Sequence, residues 1–150
     1  MVRKRGRTMT EKEITRAAYK LLKYTNCNVC YSALCNYIQS KGFIVVELHT
    51  EEGDEILKKF DYYDEYSDLK GISIIGKSLN IVIIDSTLSA HDKLHILLHE
   101  IGHIVLHFAN RSTFDDISKV ERENQAEIFA FRVQHFGKVR YWMYKLINKI

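Results

Sequence analysis

The sequence contains no proline and its seven glycines are scattered, so no linker composition divides the 150 residues. No apolar run approaches the ~18 consecutive residues that a transmembrane helix needs. The basic amino terminus leads into polar residues and not into the apolar segment of a secretory signal. We therefore expect one cytoplasmic domain spanning residues 1–150, in which residues 1–9 form a flexible basic arm.

Cysteine and net charge are also low. The three cysteines, Cys27, Cys30 and Cys35, are an odd number, which argues against a disulfide framework. "CNVC" has a metal-ligand spacing, but a structural zinc needs four ligands and only Cys35 follows, so buried helix residues are the preferred interpretation. A net charge of +3 permits nucleic-acid binding through the basic chain ends without requiring it.

Hydrophobic periodicity predicts helices and a small sheet. One helix is expected to begin near Thr10, which would cap its first turn. A second is expected over residues 28–41, with Gly42 just past its end as a stop signal. "FIVVEL" is typical of a strand, and "GISIIGKSLNIVIID" of an antiparallel hairpin. The acidic segment 51–68 fits either a short helix or a solvated insertion. We predict an α+β fold with helices around a small, mainly antiparallel sheet.

The stretch "HDKLHILLHEIGHIVLH" carries a histidine at every fourth position from His91 to His107. Ser89 with Asp92 three residues later predicts a helix start just after Ser89. Apolar residues surround much of this helix, so we expect it to be central and buried. His107 is interpreted as a donor to the exposed carbonyls at the helix end, and His91 and His95 as ordinary polar residues.

Spacing alone does not choose among the histidine pairs, because residues four apart share a helix face. A hydrolytic zinc site also needs a carboxylate that takes a proton from water. Among the histidine pairs, His99 and His103 of "HEIGH" are the best candidates, because the carboxylate of Glu100 directly follows His99. Asp92, the only other carboxylate so placed, is explained by capping.

The third ligand must lie elsewhere in the chain. The long motif with a third histidine is excluded, because its glycine and histidine positions hold Leu106 and Ala109. A following helix, "ERENQAEIFAF", offers Glu123 and Glu127 on one face, so one can bind metal while the other orients a ligand histidine. Glu121 points away and is a poorer candidate.

Together, "HILLHEIGHIVLH" and "ERENQAEIFAF" resemble the active-site segment of the ImmA/IrrE family of metallopeptidases, matching at Ala126, Glu127, Phe129 and Ala130. The resemblance implies a zincin-like core and places the metal-ligand glutamate on Glu123, leaving Glu127 to orient an imidazole. Family members are cytoplasmic, and several cleave or inactivate helix-turn-helix repressors of mobile elements or stress regulons.

The resulting hypothesis is a zinc metalloendopeptidase in which His99, His103 and Glu123 bind Zn²⁺ and Glu100 is the general base. Its expected substrate is a DNA-binding repressor, aligned along an exposed sheet edge such as residues 80–85. Two alternatives stay open: a metal-bound protein that sequesters a repressor without cutting it, and a nucleic-acid-binding domain that uses the basic ends. The oxyanion-stabilising residue is not identified by the sequence.

Overall fold

The computed structural model describes residues 9–59, 70–76, 78–108 and 118–147. Within them the chain forms an α+β fold, as predicted, with five α-helices, one π-helical turn and three strands. In chain order these are α1 (Glu11–Tyr24), α2 (Tyr31–Ser40), β1 (Phe43–Leu48), α3 (Thr50–Lys59), β2 (Gly71–Ile75), β3 (Asn80–Asp85), α4 (Ala90–His103), the π-helical turn (Ile104–Phe108) and α5 (Lys119–Ile147). The chain divides into two compact units, residues 30–100 and residues 1–29 with 101–150.

The unit of residues 30–100 contains the sheet, whose strand order is β1-β3-β2. The β2–β3 hairpin is antiparallel, as predicted, whereas β1 runs parallel to β3, so the sheet is mixed. Because β3 lies between the other two strands, the expectation that residues 80–85 form an exposed edge was wrong. The apolar, β-branched residues of β3 are mostly buried at the centre of the sheet, and among the described residues β1 and β2 are the edge strands.

One face of this sheet is packed by apolar side chains around Ile74 and Ile83. Ile56 of α3 belongs to the same cluster, which explains why the start of the acidic segment is helical: its single inward apolar face has a partner. The remainder of that segment, residues 60–69, lies outside the described residues.

Helix α4 begins as its sequence predicts. The Ser89 hydroxyl accepts a hydrogen bond from the Asp92 backbone N–H at 3.2 Å, which satisfies one of the unpaired amides of the first turn. Lys93 forms an ion pair with Glu47 of β1 at 2.5 Å, and Leu97 and Leu98 are fully buried.

In the other unit, α1 packs against α5. Thr10 caps α1, accepting a hydrogen bond from the Glu13 N–H at 3.3 Å, and the buried side chains recur at helical spacing. They are Ile14, Ala18, Leu21 and Leu22 on α1, and Ala126, Phe129, Ala130 and Val133 on α5. Helix α5 runs without a break from Lys119 to Ile147, and the chain contains no proline that would interrupt it. Among the described residues, no helix is long and apolar enough to cross a membrane.

Gly137, in the middle of α5, is buried where that helix meets α1. A β-carbon at this position would lie 2.9 Å from Val29 Cγ2 and 3.3 Å from Leu22 Cδ2, both closer than ordinary van der Waals contact. The absence of a side chain at residue 137 therefore leaves room for Leu22 of α1, and for Val29 beyond the end of α1, to lie against α5.

Replacing Gly137 with leucine should destabilise the fold. Leucine raises helix propensity by up to about 1 kcal/mol, but overpacking a filled contact costs roughly 1–3 kcal/mol and the added volume here has nowhere to go. Thermal unfolding of Gly137→Leu would be compared with Val139→Leu, which adds bulk at an exposed position of the same helix. A melting temperature equal to that of the Val139 variant would contradict the packing argument.

Candidate metal centre

Two imidazoles and one carboxylate converge near the end of α4. His99 and His103 lie one turn apart on α4 and are half-buried, while Glu123 is an exposed residue near the start of α5. One potential ligand atom from each of these three residues lies within 4.8 Å of the other two. These are the three residues that the sequence predicted as metal ligands.

The closest approach in this group joins His103 Nε2 to Glu123 Oε1 at 3.2 Å. Two ligand atoms on a tetrahedral zinc ion, each about 2.1 Å from the metal, are separated by roughly 3.4 Å. This pair therefore already has the spacing that a shared ion requires. Two imidazole nitrogens and a carboxylate oxygen also form a donor set that Zn²⁺ accepts readily.

Gly102 accounts for the proximity of His103 and Glu123. A β-carbon on Gly102 would lie 3.1 Å from Ala126 Cα and 3.2 Å from the Ala126 carbonyl oxygen, so the backbones of α4 and α5 meet here with no side chain between them. Phe129 closes the other side of the contact, with its ring 3.1 Å from the same point. The glycine in "HEIGH" thus brings the Glu123 end of α5 to the end of α4.

Glu100 lies on the same helix as the two histidines but is buried, with 8% of its surface exposed. Its Oε2 accepts a hydrogen bond of 2.6 Å from the hydroxyl of Ser73, on β2. A buried carboxylate without such a donor would be strongly disfavoured in its charged form. The Ser73 hydroxyl thus fixes one carboxylate oxygen of Glu100, Oε2.

A second buried chain of polar groups lies behind His103. Its Nδ1 is 3.1 Å from Nδ1 of His107, in the π-helical turn, and His107 Nε2 is 2.9 Å from Oε1 of Gln125 on α5. His107 is only 1% exposed and Gln125 5%. Burial lowers the pKa of His107 to about 4, partly offset by the hydrogen bond to Gln125, so its imidazole is neutral near pH 7.

A family model described as the IrrE N-terminal-like domain, peptidase M78, matches residues 44–134, which is more than half of the chain. The chain belongs to this family. Peptidase M78 proteins are metallopeptidases, which agrees with a cluster of two histidines and a glutamate. No curated protein matches the chain, and no solved structure does.

The peptidase M78 match extends from β1 to just over half-way along α5 and so includes all the residues predicted for the site. Glu127 is exposed and lines a groove of about 490 Å³ together with Phe131, Arg132 and His135. Its predicted role in orienting a ligand imidazole stays a prediction. Glu121 is exposed and is not a member of the metal-binding group.

Sequence reasoning missed Ser73 and Gln125 and interpreted His107 differently. His107 is buried and bonded to His103, so it does more than complement the helix end. The available signals were weak: Ser73 is one small polar residue among isoleucines in "GISII", and Gln125 is one polar residue in a polar helical segment. Their importance depends on partners 27 and 18 residues away along the chain.

Gly102→Ala tests the close approach of α4 and α5. Alanine would favour the helix by roughly 1 kcal/mol, but its β-carbon would press on the backbone of Ala126, which can yield only if α4 and α5 separate. We expect a lower melting temperature and weaker metal binding than in the wild type, measured by calorimetry and by competition with a zinc chelator. His91→Ala, at an exposed position of α4, is the control. Wild-type stability and metal affinity in Gly102→Ala would contradict this role for the glycine.

Proposed function

We propose that the protein is a zinc-dependent metalloendopeptidase in which His99, His103 and Glu123 bind the metal and Glu100 is the general base. The observation that carries the proposal is the convergence of these three ligand atoms within 4.8 Å, on a helix that also presents a buried carboxylate beside the first histidine. Membership of the peptidase M78 family supports the reaction class.

Zinc is favoured over harder divalent cations by the donor set. Magnesium and calcium prefer all-oxygen coordination, whereas two imidazoles with one carboxylate suit zinc and leave a fourth position for water or substrate. The glutamate comes from a helix after the histidine motif, the arrangement that characterises the gluzincin class of zinc peptidases.

When bound, the zinc ion supplies a Lewis acid that makes water more acidic and polarises the scissile carbonyl. The proton chemistry belongs to Glu100. Because Ser73 occupies Oε2, the other oxygen, Oε1, is available to accept the proton of the attacking water and to return it to the leaving amine. The hydrogen bond from the Ser73 hydroxyl to Oε2 holds the Glu100 side chain in one orientation.

The substrate that we propose is a DNA-binding repressor with a helix-turn-helix domain, met in the cytoplasm. The support is the resemblance of "HILLHEIGHIVLH" and "ERENQAEIFAF" to ImmA/IrrE proteins. An extended segment of such a substrate could add to an edge strand of the sheet, and β2 is the edge that carries Ser73, the partner of Glu100.

Metal content provides the first test. Protein purified without a histidine tag should contain about one zinc ion per chain by elemental mass spectrometry, since three protein ligands form one site. Glu123→Ala should lose most of that zinc because it removes the only carboxylate of the group. Glu121→Ala, an exposed glutamate of the same helix, is the matched control and should retain it. Wild-type protein that contains no zinc and takes up none when it is added would refute the proposal.

Cleavage provides the second test. Glu100→Gln should keep its zinc but lose peptide hydrolysis by about 10²–10⁴-fold, because glutamine cannot accept the proton of water. The zinc-loaded wild type and variant would be incubated with a proteome-derived peptide library and, separately, with a candidate repressor, and new termini would be identified by mass spectrometry. Cleavage that survives in Glu100→Gln would exclude this mechanism. Repressor binding without cleavage by either protein would favour sequestration.

A further inference from the structure

We infer that Gln125 is a positioning residue that acts through His107 to fix the ring tautomer of His103, so that Nε2 of His103 keeps its lone pair for the metal. This inference rests on the proposed function for its purpose, but the hydrogen-bond chain itself lies in the described structure. All three residues belong to the same compact unit, and two of them are almost completely buried.

The chain starts at the Gln125 side chain. Its Oε1 can only accept, so the group facing it at 2.9 Å, His107 Nε2, must carry the proton. A neutral imidazole has a proton on one nitrogen only. His107 Nδ1 is therefore a lone-pair acceptor.

The next step concerns His103. Its Nδ1 faces the acceptor Nδ1 of His107 at 3.1 Å and must donate to it. A His103 ring with its proton on Nδ1 has its lone pair on Nε2, the nitrogen that lies 3.2 Å from Glu123 Oε1 in the predicted metal centre. Two acceptor atoms at this distance need a cation between them, which is the arrangement that a shared metal ion would satisfy. One amide oxygen on α5 thus determines which nitrogen of a helix α4 imidazole is available for coordination.

It matters whether the oxygen or the NH₂ of the Gln125 side-chain amide faces His107. If Gln125 presented its NH₂ to His107, each ring in the chain would reverse its tautomer and His103 would carry its proton on Nε2, where it blocks coordination. Burial makes this ordering effective, because water does not replace a lost partner at 1% and 5% exposure. Ligand histidines in zinc proteins are commonly oriented by a hydrogen bond at the outer nitrogen, and here that partner is another histidine.

The test uses zinc affinity, measured by competition with a chromophoric chelator. Gln125→Leu removes the acceptor and should weaken zinc binding about 10–100-fold, the usual effect of losing such an outer hydrogen bond. Gln125→Glu keeps an acceptor oxygen and should bind zinc at least as tightly as the wild type. Asn124→Leu, at the exposed neighbouring position of α5, is the control and should be unchanged. Wild-type zinc affinity in a folded Gln125→Leu would overturn the inference.

A second measurement needs no metal. Glu123 faces His103 Nε2 at 3.2 Å and would accept a proton from it in the absence of metal, so this measurement uses the Glu123→Ala background. Long-range ¹H–¹⁵N spectra of metal-free Glu123→Ala labelled on histidine, recorded at mildly alkaline pH where imidazoles are neutral, report the protonated nitrogen of each ring. We expect Nδ1–H on His103 and Nε2–H on His107 in this background, with Gln125 or with Gln125→Glu, and mixed tautomers with Gln125→Leu. Nε2–H on His103 in Glu123→Ala would overturn the inference even if the Gln125→Leu variant fails to fold.

These readouts separate the two proposals. The expected tautomers in Glu123→Ala, together with a wild type that binds no zinc, would refute the metallopeptidase proposal and leave the hydrogen-bond chain intact. Tight zinc binding by wild type and Gln125→Leu alike would leave the peptidase proposal in place and remove the role assigned to Gln125.

Discussion

The close contact of α4 with α5 at Gly102 is the constraint on which the candidate site depends. A helix pair with ordinary side chains in its contact has its axes 8–10 Å apart, and an added β-carbon at residue 102 would already press on the backbone of Ala126. The 3.2 Å spacing of His103 Nε2 and Glu123 Oε1 exists because this contact has no side chain on the α4 side. The packing at Gly102 therefore sets the distance between the His103 imidazole and the Glu123 carboxylate, which are otherwise held only by flexible side chains.

Two sets of buried, hydrogen-bonded polar groups, one around Glu100 and one behind His103, give the candidate site its chemical character. Ser73 donates a hydrogen bond to the buried carboxylate of Glu100, while His107 and Gln125 form a hydrogen-bonded chain behind His103. Nearly every polar group in both systems needs a hydrogen-bond partner, because a buried polar group without one carries the full free-energy cost of desolvation. The same burial that makes these groups expensive also restricts them to one arrangement, which is useful where proton positions decide function.

Much of this architecture could be predicted from the sequence. Thr10, Ser89 and Gly42 mark helix boundaries through local chemistry, and Gly42 adopts a φ of +87° after α2, a conformation that glycine tolerates. The two histidines of "HEIGH" are four residues apart, so they lie on one face of a helix and could be paired from the sequence alone. What could not be predicted depends on tertiary contacts: the central place of β3, which follows from the parallel pairing of β1, and the partners of Ser73 and His107, which lie on other elements.

The neutral end of the His103 chain has a consequence for the proposed chemistry. A carboxylate behind a ligand histidine increases the basicity of the ring and moves electron density toward the metal. An amide oxygen reached through a second neutral imidazole orients the ring with less of that transfer. With Glu123 as the one anionic ligand, the ion would retain more positive charge, which favours the polarisation of a carbonyl and the ionisation of water. Gln125 would in this way fix the orientation of His103 without reducing the Lewis acidity that peptide hydrolysis requires.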